Sequence, residues 1–254
     1  MSTGRPQPQL SWIESHNPLP SVDAAWGKDT DAPGLLAAGA DLGVARLLEA
    51  YSHGIFPWFN PDQPVLWWSP DPRMVLQIAN FKLHRSLRKT LSRYAAHPHF
   101  ELCFDKAFDQ VIEACAQSPR EGQNGTWIVP QMVDAYKALH QAGYAHSAET
   151  WLDGQLVAGL YFVCIGKAVF GESMFSTISD GSKMALAALV KVCEQQEIQA
   201  IDCQQNTAHL ALMGAQEMPR HAFLNLIQPA LQAQALNWKT LQVDWDLWRS
   251  RGAA

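Results

Sequence analysis

The chain has 254 residues, 48% of them hydrophobic and 17% charged, and its formal net charge is −5. This composition is typical of a soluble globular protein, and the negative charge argues against indiscriminate binding of nucleic acids. The sequence has no apolar run near the roughly 20 residues of a membrane helix, no secretory signal, and five cysteines without a CxxC spacing. We therefore expect a cytoplasmic protein that does not contact a membrane.

The first part of the chain contains one amphipathic helix followed by a proline-rich stretch. The apolar residues of the helix recur at the spacing i, i+3, i+4, i+7, at Val44, Leu47, Leu48 and Tyr51. Residues 54–73 then read GIFPWFNPDQPVLWWSPDPR, and their five prolines exclude a long helix. We predict an extended, turn-rich segment here that fixes the position of Trp58.

A basic segment follows, because residues 72–100 contain no Asp or Glu. Its six cations are Arg73, Lys82, Arg85, Arg88, Lys89 and Arg93. A helix is predicted over residues 84–94, and Arg85, Arg88 and Lys89 are spaced so that they share one face of it. A localised basic segment on an acidic protein predicts an anion site, and a solvated helix face is the alternative interpretation.

The centre of the chain, residues 146–204, predicts a mixed sheet. Asp153-Gly154 and Ile165-Gly166-Lys167 separate three β-rich runs, which indicates a three-stranded antiparallel meander. A helix is predicted over residues 182–196, and a short strand follows it. Strands that alternate with helices in this way predict an α/β (α+β) fold. We expect a small domain over residues 1–70 and a larger one over residues 71–254.

Polar side chains at the ends of two of these strands form the candidate site. Side chains alternate along a strand, so the short strand would put Asp202 and Gln204 on one face and Cys203 on the other. Glu172 ends the third strand of the meander, and we expect it to be directed at the same face as Asp202 and Gln204. The pattern therefore predicts two carboxylates and an amide side by side.

Metal, cofactor and covalent chemistry are not expected. His97 and His99 form the only close histidine pair, and no HExxH motif or Cys/His cluster accompanies them. The serines near the candidate site lack a G-x-S-x-G elbow, and Cys203 would point away from Asp202 and Gln204 as a small buried apolar residue.

The motifs GIFPWF, WWSPDPR, GTWI, GESMFS and IDCQ occur in order, and over residues 34–225 the sequence resembles the leucyl/phenylalanyl-tRNA–protein transferases. The resemblance implies an acetyltransferase-like (GNAT) fold for the larger, catalytic domain. It further implies a monomer that needs no cofactor. Such an enzyme transfers Leu or Phe, and in some cases Met, from aminoacyl-tRNA to the N-terminal Arg or Lys of acceptor proteins, and so marks them for degradation.

The resemblance also assigns roles to individual residues. Asp202 and Gln204 would handle the proton and contact the attacking amine, and Glu172 would hold the α-ammonium of the donor. Trp58 and Trp127 would stack on the 3′-terminal adenosine. The pocket for the aminoacyl side chain would be lined by Met174, Leu186, Leu189 and Ile201. The tRNA would be bound at Arg85, with Arg88 and Lys89 on the same helix face.

Two other functions remain open at this stage. An N-acetyltransferase that uses acetyl-CoA would share the fold, but residues 176–185 read STISDGSKMA, and one glycine beside an aspartate is poorly suited to bind a pyrophosphate. A non-catalytic tRNA-binding module is the other alternative. The preference between Leu and Phe is also open, because Leu189 is aliphatic where the family can have an aromatic residue.

Overall fold

The computed structural model describes residues 8–118 and 128–243, which are built around two β-sheets. The first sheet has four strands in the order β1-β2-β4-β3. These strands are β1 (Ser11–Ile13), β2 (Leu35–Gly39), β3 (Phe56–Pro57) and β4 (Leu66–Trp68), with helix α1 (Val44–Ser52) between β2 and β3. The proline-rich stretch is extended, as predicted, because β3 and β4 pair with each other across it.

The rest of the chain contains seven strands and six helices within the described residues. In chain order they are β5 (Arg73–Gln77), α2 (Arg85–Ala95), β6 (Phe100–Phe104), α3 (Phe108–Gln117), α4 (Pro130–Gln141), β7 (Ala145–Leu152), β8 (Gln155–Ile165), β9 (Ala168–Ser176), α5 (Gly181–Gln195), β10 (Ala200–Asp202), α6 (Ala208–Leu212), β11 (Gln216–Met218) and α7 (Arg220–Leu231). No helix in the described ranges is long and apolar enough to cross a membrane.

The second sheet has the strand order β11-β5-β10-β9-β8-β7-β6. Strands β7, β8 and β9 form the predicted antiparallel meander. Helix α5 then connects β9 to β10, and these two strands are parallel. The α/β class with a mixed sheet is therefore confirmed.

Buried apolar residues cover both faces of this sheet. Alternate residues of β8 belong to two different core clusters: Leu160 and Phe162 pack with the apolar residues of α5, whereas Tyr161 and Val163 pack with those of α3 and α4. The second of these clusters also contains residues of the first sheet and of α1. The first sheet ends at Trp68 and the second begins at Arg73, and a domain boundary near residue 70 stays a prediction.

Candidate active site

A cavity of about 440 Å³ lies where the parallel strands β9 and β10 separate. The two strands pair only at Ile201 with Val169 and at Asp202 with Phe170. Strand β10 ends there, whereas β9 continues to Ser176. The cavity occupies the space beyond the last pair, between the second half of β9 and the loop that follows β10.

A β-bulge directs Glu172 into this cavity. In the pairing of β8 with β9, Tyr161 is opposite Ser173 and Phe162 is opposite Gly171, so Glu172 is the extra residue of the bulge. A bulge interrupts the alternation of side chains and changes the direction of the residue it contains, which is why bulges are frequent at active sites. Nothing in the residue pattern of β9 predicted this bulge.

Three side chains donate hydrogen bonds to the carboxylate of Glu172. The hydroxyl of Tyr51 in α1 donates to Oε1 (2.7 Å), the hydroxyl of Tyr136 in α4 donates to Oε2 (3.1 Å), and Nε2 of Gln204 donates to Oε1 (2.8 Å). The two tyrosine hydroxyls also contact each other. Because each hydroxyl carries a single proton, they hydrogen-bond each other only when the Glu172 carboxyl is protonated and donates to one of them. Burial nevertheless raises the pKa of Glu172 to about 8, because the loss of water outweighs the effect of these donors.

The raised pKa of Glu172 predicts a pH dependence of stability. Unfolding returns the carboxyl to an ordinary pKa near 4.5, so between about pH 4.5 and 8 the folded state binds a proton that the unfolded state does not. Stability should therefore fall as the pH rises through this interval. Glu172→Gln removes this titrating group. We therefore expect the melting temperature of Glu172→Gln, relative to that of the wild type, to rise between pH 5 and pH 8 in thermal scans. Exposed Glu113→Gln is the control, and parallel curves for Glu172→Gln and the wild type would contradict the prediction.

Gln204 lies two residues beyond the end of β10, and its side chain contacts Glu172. Its backbone has a φ of 60°, in the left-handed region, and its N–H donates to Oδ1 of Asp202 (2.9 Å). Its side-chain Nε2 is held by Glu172, so the amide oxygen is left to accept a hydrogen bond from a ligand. An acceptor held in this way is suited to orient an amine.

The predicted placement of Asp202 is wrong. Its side chain does not line the cavity and is buried against Arg73, whose Nε and terminal nitrogen donate to Oδ1 (2.8 Å) and Oδ2 (2.6 Å). The strand alternation that would put Asp202 and Gln204 on one face fails because the backbone turns into the left-handed conformation at Gln204. Asp202 therefore does not line the cavity, but it accepts a hydrogen bond from the backbone of Gln204, and its charge acts on Glu172 and Cys203.

The expectations for Arg73 and Cys203, the neighbours of Asp202, are also wrong. Arg73 is fully buried between the rings of Phe56 and Phe223 and is not part of an anion-binding surface. Cys203 lines the cavity instead of pointing away from it. Burial, with the nearby charge of Asp202, raises the pKa of the Cys203 thiol to about 12, so the thiol stays protonated at neutral pH and is a poor nucleophile.

The four residues predicted to form a side-chain pocket are brought together in the cavity. Met174, Leu186, Leu189 and Ile201 all line it, and the last three are almost completely buried. Sequence reasoning missed several other lining residues, among them Phe56, Leu160, Tyr161, His209 and Leu210. Their periodic spacing marks them only as core or helix residues, so no local signal identifies them.

Only one of the two predicted adenosine contacts can be located. Trp58 is half-buried, lines the cavity and packs against Trp68 with ring centroids 5.3 Å apart. Nε1 of Trp68 donates to the carbonyl of Trp58 (2.6 Å), which fixes the backbone beside the stacking ring. Trp127 lies outside the described residues.

The predicted basic helix is α2. Arg85, Arg88 and Lys89 line one shallow depression on its surface together with Ser92, so they share a face as expected. The helix is connected to the neighbourhood of the cavity: His84 hydrogen-bonds the carbonyl of Leu212 in α6 (2.8 Å).

A histidine and aspartate cluster lies apart from the cavity. Asp105, His140 and His146 have potential metal-ligand atoms within 4.8 Å of one another. Nδ1 of His146 is 2.8 Å from Asp105, and Nδ1 of His140 is 2.7 Å from the carbonyl of Ala145. These hydrogen bonds account for the arrangement as a structural network, which the sequence did not reveal because its members are up to 41 positions apart.

Comparisons with known proteins identify the family to which this sequence is similar. The family models described as leucyl/phenylalanyl-tRNA protein transferase and its N-terminal domain match residues 75–228 and 40–71. A curated leucyl/phenylalanyl-tRNA–protein transferase from a Polaromonas species is 55% identical to this chain, over 94% of this chain and 94% of its own length. The curated transferase of the same name from Leptothrix cholodnii is 59% identical, over 84% of this chain and 85% of its own length. A ribosomal-protein-alanine N-acetyltransferase from Brucella melitensis aligns at 13% identity over 57% of this chain and 98% of its own, with a TM-score of 0.31.

Proposed function

The chain belongs to the leucyl/phenylalanyl-tRNA–protein transferase family and is an aminoacyltransferase, and we propose that it transfers Leu or Phe, with Met as a third donor, to the N-terminal Arg or Lys of acceptor proteins. The observation that carries this proposal is one cavity in which an apolar floor meets a carboxylate. Leu186, Leu189 and Ile201 supply the floor, and Glu172 is the carboxylate.

The cavity fits the end of an aminoacyl-tRNA part by part. The apolar floor accepts an unbranched, γ-branched or aromatic side chain, and the flexible side chain of Met174 adapts to its shape. A carboxylate beside that floor suits the α-ammonium of the donor, and binding of this cation favours the ionised form of Glu172. Trp58 at the side of the cavity offers a ring for the terminal adenine.

The reaction needs positioning more than strong acid–base chemistry. The aminoacyl ester is already activated, and the attacking α-amine has a pKa near 8. Holding this amine against the ester carbonyl is therefore the main requirement. We assign that task to Gln204, whose amide oxygen can accept from the amine, and we assign to Asp202 the task of fixing the backbone of Gln204.

Several finer statements belong to the same proposal. The acceptor would be marked for degradation, and the enzyme would act as a cytoplasmic monomer without a cofactor. The five cysteines are free thiols, which is consistent with a reducing compartment. We propose no role for Trp127 beyond the adenosine contact that the resemblance implies.

An acetyl-CoA-dependent activity is less well supported by the start of α5. Its N-cap, Asp180, has a φ of 62° and pairs with Lys183 (2.6 Å). A pyrophosphate at this helix end would have to approach the carboxylate of Asp180.

One assay separates the three functions. The protein is incubated with a peptide that begins with Arg and with either labelled phenylalanyl-tRNA or labelled acetyl-CoA. We expect label on the peptide only from phenylalanyl-tRNA, and a peptide that begins with an acetylated Arg is the control. Label from acetyl-CoA would favour an acetyltransferase, and tRNA binding without transfer would favour a binding module.

The helix α2 is the surface on which we expect the tRNA body to bind. Replacing Arg85, Arg88 and Lys89 together with alanine should weaken tRNA binding. It should also reduce the slope of log K against log salt by about 0.7–0.9 for each phosphate that the helix no longer neutralises. The measurement is a salt titration of the binding constant.

A charge-matched control separates this effect from the change in net charge. Alanine replacements of Lys28, Lys106 and Lys137 remove three cations outside α2 and should leave the salt slope unchanged. Equal slopes for the two triple variants would mean that the basic face of α2 is only solvated and does not contact the phosphates of the tRNA.

A further inference from the structure

His209 is a cavity residue whose ring nitrogen has no partner. Nε2 of His209 is buried and makes no hydrogen bond within the described part of the chain, although the residue lines the cavity beside Gln204. A buried polar atom without a partner costs free energy, so such atoms in native proteins call for an explanation. A ligand group in the cavity would provide the missing partner.

The helix that carries His209 is firmly held. Thr207 caps α6 by accepting from the N–H of Leu210, and the carbonyl of Met213 just after it accepts from the N–H of Lys82 (2.9 Å). Gly214 lies so close to the carbonyl of Asn80 that a Cβ there would be 2.2 Å from its oxygen. The segment between β5 and the basic helix α2 thus fixes α6, the helix that carries His209.

We propose that Nε2 of His209 hydrogen-bonds the free hydroxyl of the terminal ribose of the aminoacyl-tRNA. This inference rests on the proposed function, which already gives partners to the side chain, the α-ammonium and the adenine of the donor. The ribose lies between the adenine and the amino acid, and its hydroxyl beside the ester is a polar group still without a partner.

The state of the imidazole supports a hydroxyl as the ligand. Burial, and then the positive charge of Lys183, lower the pKa of His209, so the ring is neutral at physiological pH. In a neutral ring Nε2 either donates or accepts, depending on the tautomer. A hydroxyl can donate to Nε2 or accept from it, and so it fits both tautomers. A carbonyl oxygen can only accept, and so it fits only the tautomer in which Nε2 carries the proton.

The test is a cycle of two changes, one in the protein and one in the donor. Transfer of Phe to a peptide with an N-terminal Arg is measured for the wild type and His209→Ala. Each enzyme is given phenylalanyl-tRNA with a terminal ribose, and phenylalanyl-tRNA that ends in 2′-deoxyadenosine with the ester on the 3′ oxygen. Removing the hydroxyl changes the intrinsic reactivity of the ester, but this effect is common to both enzymes and cancels in the cycle.

We expect each single change to lower kcat/KM by about 5- to 30-fold, the effect of losing one hydrogen bond in a desolvated site. The two changes together should lower kcat/KM little more than one of them alone does. His209→Gln, whose amide nitrogen reaches a similar position, should retain part of the activity with the ribose donor. Leu212→Ala, at an exposed position of the same helix, is the control.

The outcomes distinguish this inference from the proposed function. If His209→Ala loses the same factor with both donors, the ribose contact is refuted. If His209→Ala fails to fold, the same cycle is run with His209→Phe, which fills the position without a hydrogen-bonding group, and additive losses refute the contact there. If the wild type does not transfer Phe to the peptide at all, the proposed function fails, and with it the basis of the ribose contact.

Discussion

Replacing Asp202 with alanine should destabilise the protein by about 3–5 kcal/mol, because it leaves a buried guanidinium without its counter-charge. Arg73 and Asp202 have fully buried side chains and form a bidentate pair. For a chain of this size the loss corresponds to a melting temperature lower by roughly 2–4 °C per kcal/mol. Aminoacyl transfer should fall as well, since the backbone of Gln204 loses its acceptor.

A double variant separates the two effects. Arg73→Met with Asp202→Leu replaces both partners of the ion pair with apolar side chains of similar volume, and such exchanges are often neutral for stability. We expect this variant to recover most of the melting temperature but not the transfer activity, because no carboxylate holds Gln204. A single variant Asp202→Ala with wild-type melting temperature would show that the pair does not stabilise the fold, and full activity in the double variant would show that Asp202 does not position Gln204.

The strand that carries Asp202 shows a first limit of prediction from the sequence. The alternation of side chains along a strand is reliable only while the strand continues, and β10 ends at Asp202. Gln204 lies two residues beyond and has a positive φ, which the sequence does not announce because Gln is not a residue that favours this conformation. The sequence therefore identifies the residues of the candidate site, but it does not predict in which direction their side chains point.

Glu172 illustrates a second limit. A one-residue bulge in β9 and two tyrosines from α1 and α4 determine its direction and its pKa. Tyr51 and Tyr136 are 121 and 36 positions away from Glu172 in the chain, so only the folded structure could reveal their contact. In contrast, helices α1, α2 and α5 and the meander follow from local periodicity and turn residues, which depend on neighbours in sequence.

The apolar pocket shows a third kind of limit. Leu186, Leu189 and Ile201 are buried to the same degree as ordinary core residues, and burial alone does not distinguish a pocket wall from a core. What distinguishes them is the early end of β10 beside the longer β9, which leaves their side chains without a strand to cover them. Periodicity predicts the burial, and strand lengths in the folded sheet decide which buried residues face a ligand.

Gln204→Ala should lower kcat/KM for aminoacyl transfer by about 10²-fold, the loss expected when a reacting group is no longer held in its productive position. The physical reason is that the amide, fixed by its bond to Glu172, offers the attacking amine an acceptor that alanine lacks. The melting temperature should change little, because the side chain of Gln204 faces the cavity and is not part of the buried ion pair. Steady-state transfer of labelled Phe to a peptide with an N-terminal Arg measures the effect.

Gln204→Gly tests whether the loss comes from the side chain or from the backbone. Glycine adopts a φ of 60° without strain, so this variant keeps the turn after β10 and removes only the amide. We expect it to be as inactive as Gln204→Ala and at least as stable. Gln155→Ala, at an exposed position of β8, is the control for the loss of an amide elsewhere. Transfer by Gln204→Gly within threefold of the wild type would mean that the amide of Gln204 does not contact the amine.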